Sequence, residues 1–241
     1  MLSDEQVNSF KKDGHLILRG FIDDEIISAW QSQFWDHLGC RINEPGKWPD
    51  KVEGFQPSPL FGSMPELTSI AEQFGGGNFN GGGCGVLTRW PDTDQSWAMP
   101  DTGHLDGYPG EGCQAILMMG ATTYLHDVES KGGAYIYWPG SHNIAHRYFR
   151  KYPDRIEGTF RETPEWENRG WGIFSDDNDE SPREFLAKAG DVILWHGWLC
   201  HSGSSNISSS PRVGFFARWI HNDDAGIRNS VPEDPWHHWS I

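Results

Sequence analysis

The sequence predicts a mainly β fold, a sandwich or barrel preceded by short helices, and three observations carry that prediction. From residue 84 onward the apolar runs are short and closed by glycine or proline, which is strand patterning. Before residue 75 apolar positions instead recur at helical three- and four-residue steps. The 241-residue chain is long enough to bury a full core, and β barrels of this size are commonly single domains. One domain is therefore expected over 1–241: a helical scaffold at 1–75, a β core at 84–221 carrying an insertion at 143–188, and a tail at 222–241.

In order, Ser3 followed by Gln6 forms a capping-box pattern, and Val7 and Phe10 continue a first helix that Asp13 and Gly14 stop. A strand follows at 15–21. Asp23, Asp24 and Glu25 open a second helix whose apolar face runs through Ile26, Ile27, Trp30, Phe34 and Leu38. Proline, glycine and charge predict an irregular stretch over 43–65, then a short helix over 66–74. The glycine runs 75–77 and 81–83 lack the setting of a phosphate-binding loop and read as a flexible turn. Strands are expected at 84–90, from 114 to 122 or beyond, at 134–138, at 192–196 and at 213–220. Residues 139–142 read as a strand-ending turn, and 143–188 as an insertion holding one helix and a mobile loop at 176–180. Trp236 and Trp239 suit a tail that docks as a cap.

Charge narrows the partners. With 19 basic and 34 acidic residues the net charge is −15, which argues against nucleic acid and anionic membranes and leaves a small molecule as the expected partner. The polar, acidic start has neither the basic opening nor the apolar run of a signal peptide, so a soluble, cytoplasmic protein is expected. Cys40, Cys84, Cys113 and Cys200 are irregularly spaced and read as free thiols.

The chemistry concentrates at His104 and Asp106. Two residues apart in an extended segment, they point to one face and can converge on one point. His201 supplies a third donor, with Arg212 eleven positions later. Two imidazoles and one carboxylate form the facial triad of non-haem Fe(II) oxygenases, which leaves positions open for a co-substrate and O₂. A guanidinium nearby suits a dicarboxylate. His196 competes with His201 but sits on the other strand face and suits packing. Arg218, an even step from Arg212, shares its face and suits either an anionic substrate or a structural ion pair. Trp90, Tyr108, Trp138 and Trp195 flank these strands as candidate pocket walls, with core packing the alternative for each, and Arg89 on the entering strand suits contact with substrate or co-substrate.

These pieces together resemble the phytanoyl-CoA dioxygenase (PhyH-like) family of Fe(II)- and 2-oxoglutarate-dependent oxygenases over nearly the whole chain. The resemblance runs through the opening 2–6 and 13–21, His104-Leu105-Asp106, Gly132-Gly133-Ala134, Pro139-Gly140-Ser141-His142, Gly190-Asp191-Val192, and His201, Asn206 and Arg212. It implies a double-stranded β-helix, the jelly roll shared with cupins, with N-terminal helices packed on the sheet. It also implies His104, Asp106 and His201 as iron ligands, and Arg212 on the distal carboxylate of 2-oxoglutarate. Relatives often carry a hydroxyl where Gly203 stands, so Ser202 or Ser204 is expected to replace it, and Thr122 takes a position from which to hydrogen-bond the co-substrate. Asp106, in place of the small residue of halogenating relatives, implies hydroxylation, with succinate and CO₂ as co-products. A cupin-like metalloenzyme without 2-oxoglutarate and a non-catalytic jelly-roll binding module remain as alternative readings.

Overall fold

In the computed structural model, which describes residues 1–106, 117–157, 159–227 and 231–241, the first helix starts and stops as the sequence dictates. In α1 (Asp4–Asp13) the Ser3 hydroxyl accepts from the Gln6 N–H and the Gln6 side chain accepts from the Ser3 N–H, while Gly14 ends the helix in the left-handed region at φ 73°. β1 (His15–Leu18), α2 (Asp24–Leu38) and α3 (Pro65–Gly75) follow.

The β core, among the described residues, is two antiparallel sheets. The larger has the order β1-β6-β3-β8-β2, with β2 (Phe79–Arg89), β3 (Met118–Tyr124), β6 (Val192–His196) and β8 (Arg212–His221). The smaller is β5-β4-β7, with β4 (Tyr135–Tyr137), β5 (Arg183–Glu184) and β7 (His201–Gly203). The expected mainly β class, with helices on a sheet, is what forms.

Strand alternation decides which residue faces what. On β8, Val213, Phe215, Ala217 and Trp219 pack with Trp30, Phe34, Leu67 and Phe74 of the helices. On β6, Val192 and Leu194 join that same core, whereas Ile193 and Trp195 turn inward to meet Tyr137, Phe185 and Leu199 between the sheets. The even-numbered residues of β8 are thereby left for the interior.

Two segments differ from expectation. The glycines 81–83 lie inside β2 and not in a turn before it, and the β2–β8 register shifts between Gly82 and Gly85. Gly82 has φ 99°, and a Cβ there would lie 2.4 Å from the Gly62 carbonyl oxygen. The run is a bulge that admits the 3₁₀ turn Phe61–Ser63 against the sheet. The insertion is more ordered than expected: α4 (Ser141–Lys151) begins within the predicted turn, and α5 (Pro164–Arg169) and α6 (Gly172–Ser175) follow two 3₁₀ turns. Its helices have their own core in Ala145, Phe149, Phe160 and Phe174, joined by Trp138 and Trp198. Asp176 and Asp177, in the expected mobile loop, pair with Arg169.

Other expectations lie closer to the structure. The start of the strand expected at 114 is outside the described residues, and its described part begins at Met118. Cys40, Cys84 and Cys200 are free thiols, and Cys113 is outside the described residues. Trp236 and Trp239 bury against Phe10, with Trp239 also meeting Phe74 and Phe79, so the tail docks. His196 is buried beneath it, stacked on Trp239 at 5.0 Å, and its Nδ1 accepts from the Trp198 N–H. No helix among the described residues is long and apolar enough to cross a membrane.

His142, also beneath the tail, donates from Nε2 to the Lys11 carbonyl at 3.0 Å, and its Nδ1 has no partner among the described residues. Burial, opposed by that hydrogen bond, lowers its pKa from 6.5 to about 4. Between those values the unfolded chain binds more protons than the folded one, so stability falls as pH drops from 6.5 toward 4 and is flat above 6.5 on this account. Urea midpoints measured across pH 4 to 7 should show this slope, and it should be shallower in His142→Gln.

Candidate functional site

The site begins with a reciprocal backbone pair. The His104 N–H donates to the His201 carbonyl at 2.8 Å, and the His201 N–H returns to the His104 carbonyl at 3.0 Å. This isolated antiparallel bridge brings the imidazole centroids to 4.3 Å. Asp106 then turns its Oδ1 to 3.4 Å from His104 Nε2 and 3.7 Å from His201 Nε2. The three donor atoms lie within 4.8 Å of one another, a spacing that can hold one metal ion.

Each donor is oriented by a neighbour. The His201 Nδ1–H donates to the Leu199 carbonyl at 2.9 Å, which fixes the tautomer and leaves the Nε2 lone pair facing the cluster. Tyr135 stacks on the same ring at 5.0 Å. Arg218 grips the other carboxylate oxygen of Asp106, from Nε at 3.0 Å and Nη2 at 2.6 Å, so Oδ1 is the oxygen left for the imidazoles. Burial alone would raise the Asp106 carboxyl, but His201, the His104 hydrogen bond and Arg218 together hold it well below the usual carboxylate range. Burial also lowers His201 to about 4, against the pull of Asp106, so its ring is neutral at pH 7.

The cluster opens into a cavity of about 160 Å³. Arg212 is buried in its wall, donating from Nε to the Gly133 carbonyl at 2.8 Å and from Nη1 to the Leu87 carbonyl at 2.9 Å. Burial lowers it to about 10; Tyr124 opposes the shift and Arg89 adds to it. It is still a cation at neutral pH. The Tyr124 hydroxyl accepts from the Tyr135 N–H at 2.8 Å, and the Thr122 hydroxyl accepts from Trp195 Nε1 at 3.1 Å.

Of the residues singled out in the sequence, His104, Asp106, His201, Arg212, Thr122, Arg89, Trp195 and Arg218 all line this one cavity. Arg218 takes the ion-pair role, on Asp106. Tyr108 lies outside the described residues. Trp90 faces away: one residue beyond Arg89 it occupies the opposite face, where it stacks on Trp48 at 5.1 Å and donates to the Pro49 carbonyl. Ser204 is not among the lining residues, which take in His201, Ser202 and Gly203 and stop there as β7 ends. The Ser204 hydroxyl is buried without a partner among the described residues. Trp138 packs into the insertion's core.

The sequence reading missed Tyr124 and Tyr135. Both line the cavity, and the Tyr135 hydroxyl is buried with no partner among the described residues. The available signal was parity, since Tyr124 lies an even step from Thr122 on the same strand.

Residues 101–214, which span the three donors and Arg212, match the family model described as phytanoyl-CoA dioxygenase (PhyH). The chain is 21% identical to the peroxisomal phytanoyl-CoA dioxygenase of Rattus norvegicus, covering 92% of this chain and 70% of that protein. Among solved structures it is similar to HygX from Streptomyces hygroscopicus with nickel and 2-oxoglutarate bound (TM-score 0.57, 19% identity, 92% of this chain and 88% of that one). It is also similar to EctD from S. alaskensis with bound Fe (TM-score 0.59, 14% identity, 92% and 78%), and to the α-ketoglutarate-dependent epimerase SnoN from nogalamycin biosynthesis (TM-score 0.57, 15% identity, 90% and 82%). The shared fold is the double-stranded β-helix, and a two-histidine, one-carboxylate cluster inside it defines a non-haem iron oxygenase. Within that class the chain is similar to the phytanoyl-CoA dioxygenase (PhyH) family, over the stretch 101–214 that holds the site.

Tyr124→Phe leaves the Tyr135 N–H without its acceptor in a buried wall. The expected loss is about 1–3 kcal/mol of stability, read from urea unfolding.

Proposed function

We propose that this protein hydroxylates an unactivated C–H bond of a small molecule, using Fe(II), 2-oxoglutarate and O₂. The observation that carries the reading is the convergence of His104, Asp106 and His201 at one point of a cavity whose wall also holds the buried Arg212 cation. The donor set fits iron: two imidazole nitrogens and one carboxylate are borderline and hard donors that leave several coordination positions free. When bound, iron, 2-oxoglutarate and O₂ supply the oxidising power for C–H hydroxylation, with succinate and CO₂ as co-products.

The chain's own residues do the positioning. His104 and His201 offer Nε2 and Asp106 offers Oδ1, with Leu199 and Arg218 holding two of the three in register. Arg212 receives the distal carboxylate of 2-oxoglutarate, because a buried cation without an acidic partner among the described residues gains most from an anion delivered to it. Thr122 adds a hydroxyl to the same wall. Leu87, Phe216, Tyr135 and Trp195 give the substrate an apolar and aromatic surround that excludes water.

Anaerobic addition of Fe(II) and then 2-oxoglutarate should produce a weak visible charge-transfer band that needs both and is absent in His104→Ala. Iron binding with no band would favour a cupin-like metalloenzyme, and no iron binding at all would favour a ligand-binding module. In Arg212→Ala iron binding should persist while the band and 2-oxoglutarate-dependent succinate formation are lost; unchanged succinate formation would remove Arg212 from the co-substrate site.

A further inference from the structure

Arg89 and Arg212 stand directly opposite one another on β2 and β8, and both line the cavity. Like charges in that relation destabilise an antiparallel pair unless something neutralises them. Among the described residues no carboxylate pairs with either one, and the Arg89 guanidinium has no hydrogen-bond partner at all. Both reach toward the facing sheet at the same place. A Cβ built on Gly203 would lie 3.3 Å from Arg89 Nη2 and 3.8 Å from Arg212 Nη2, so the missing side chain leaves a space framed by two guanidinium groups.

The stem of Arg89 is held in position. A Cβ on Gly133 would meet the Arg89 Cβ at 2.9 Å, and the Asn206 side-chain amide donates to the Arg89 carbonyl at 2.9 Å. The charges of this wall contrast with the molecule around it. A chain of net charge −15 carries Arg89, Arg212 and Arg218 in one cavity, where among the described residues Asp106 alone opposes them. A dianion is the ligand that such a wall would attract.

We propose that Arg89 is a second arginine on the distal carboxylate of 2-oxoglutarate, closing a two-arginine clamp with Arg212 over Gly203. This rests on the reading of the cavity as the 2-oxoglutarate site. One carboxylate has two oxygens and about four lone-pair directions, enough to accept from both guanidinium groups. Arg212, with Nε and Nη1 committed to backbone carbonyls, keeps Nη2 for the ligand, and Arg89 supplies the remaining donors. The clamp makes Arg89 a binding residue that selects a dicarboxylate over a monocarboxylate of the same length.

The test is calorimetric titration of Mn(II)-loaded protein with 2-oxoglutarate and with 2-oxopentanoate, which lacks only the distal carboxylate. Wild type, Arg89→Gln and Arg212→Ala are compared, with melting temperatures as a folding control. Arg89→Gln keeps the stem against Gly133 and should weaken 2-oxoglutarate about tenfold, the scale of one charged hydrogen bond, while leaving 2-oxopentanoate unchanged and not lowering the melting temperature. Unchanged 2-oxoglutarate affinity in Arg89→Gln, with loss in Arg212→Ala, would overturn the clamp and keep the co-substrate site. Equal weakening of both acids would make Arg89 structural. Full affinity in Arg212→Ala would overturn the co-substrate reading and the clamp with it.

Discussion

Two backbone hydrogen bonds, exchanged between His104 and His201, are the constraint on which the site depends. They tie a segment with no regular ladder of its own to a strand of only three residues. That strand is fixed from both sides: the Cys200 N–H donates to the Ser141 hydroxyl at the start of α4, and the Trp138 N–H donates to the Cys200 carbonyl. The insertion is therefore joined to the metal-binding edge through its first helical residue. Closing the long loop between residues 104 and 201 costs chain entropy, which the packed cores on either side offset.

Strand parity then separates two environments that would be incompatible on one face. One set of β8 residues is apolar and packs beneath helices; the other places Arg212 and Arg218 inside the cavity. A buried carboxylate and a neighbouring guanidinium are expensive to desolvate, and such a pair adds little net stability. What the Asp106–Arg218 pair contributes is orientation: with Oδ2 occupied, only Oδ1 is available to face the imidazoles. Geometry is obtained here at the expense of stability.

Much of this was legible in the sequence because it rests on local rules. The capping box at Ser3 and Gln6, the apolar spacing through Trp30 and Phe34, and the even step from Arg212 to Arg218 each have one local physical meaning. The donors were legible because few arrangements other than convergence give His104 and Asp106 a purpose alongside a distant His201. What escaped depends on contacts between distant segments. The glycines 81–83 read as a turn until Gly62 is seen against them, and Trp90 read as a pocket wall until Trp48 and Pro49 are seen beside it. The start of α4 was hidden because its first residues resemble a strand-ending turn, and its packing comes from Phe160 and Phe174 further along the chain. Ser204 was a substitute sought one residue beyond the end of β7, past the last residue of that strand to line the cavity.

The bulge in β2 also bears on how the molecule behaves in a crowd. β2 is an outer strand of the larger sheet, and an outer strand offers unpaired N–H and C=O groups to any other extended chain. A long, flat, regular outer strand would be a template for edge-to-edge association. Glycines with positive φ at 81, 82 and 83 break that regularity midway, and the turn at Phe61–Ser63 lies against it. The uncovered stretch is cut to the end that carries Arg89, whose charge disfavours a second strand docking alongside. The bulge that seats the turn against the sheet thus also acts as a guard against self-association, a protection against aggregation built into the edge of the sheet.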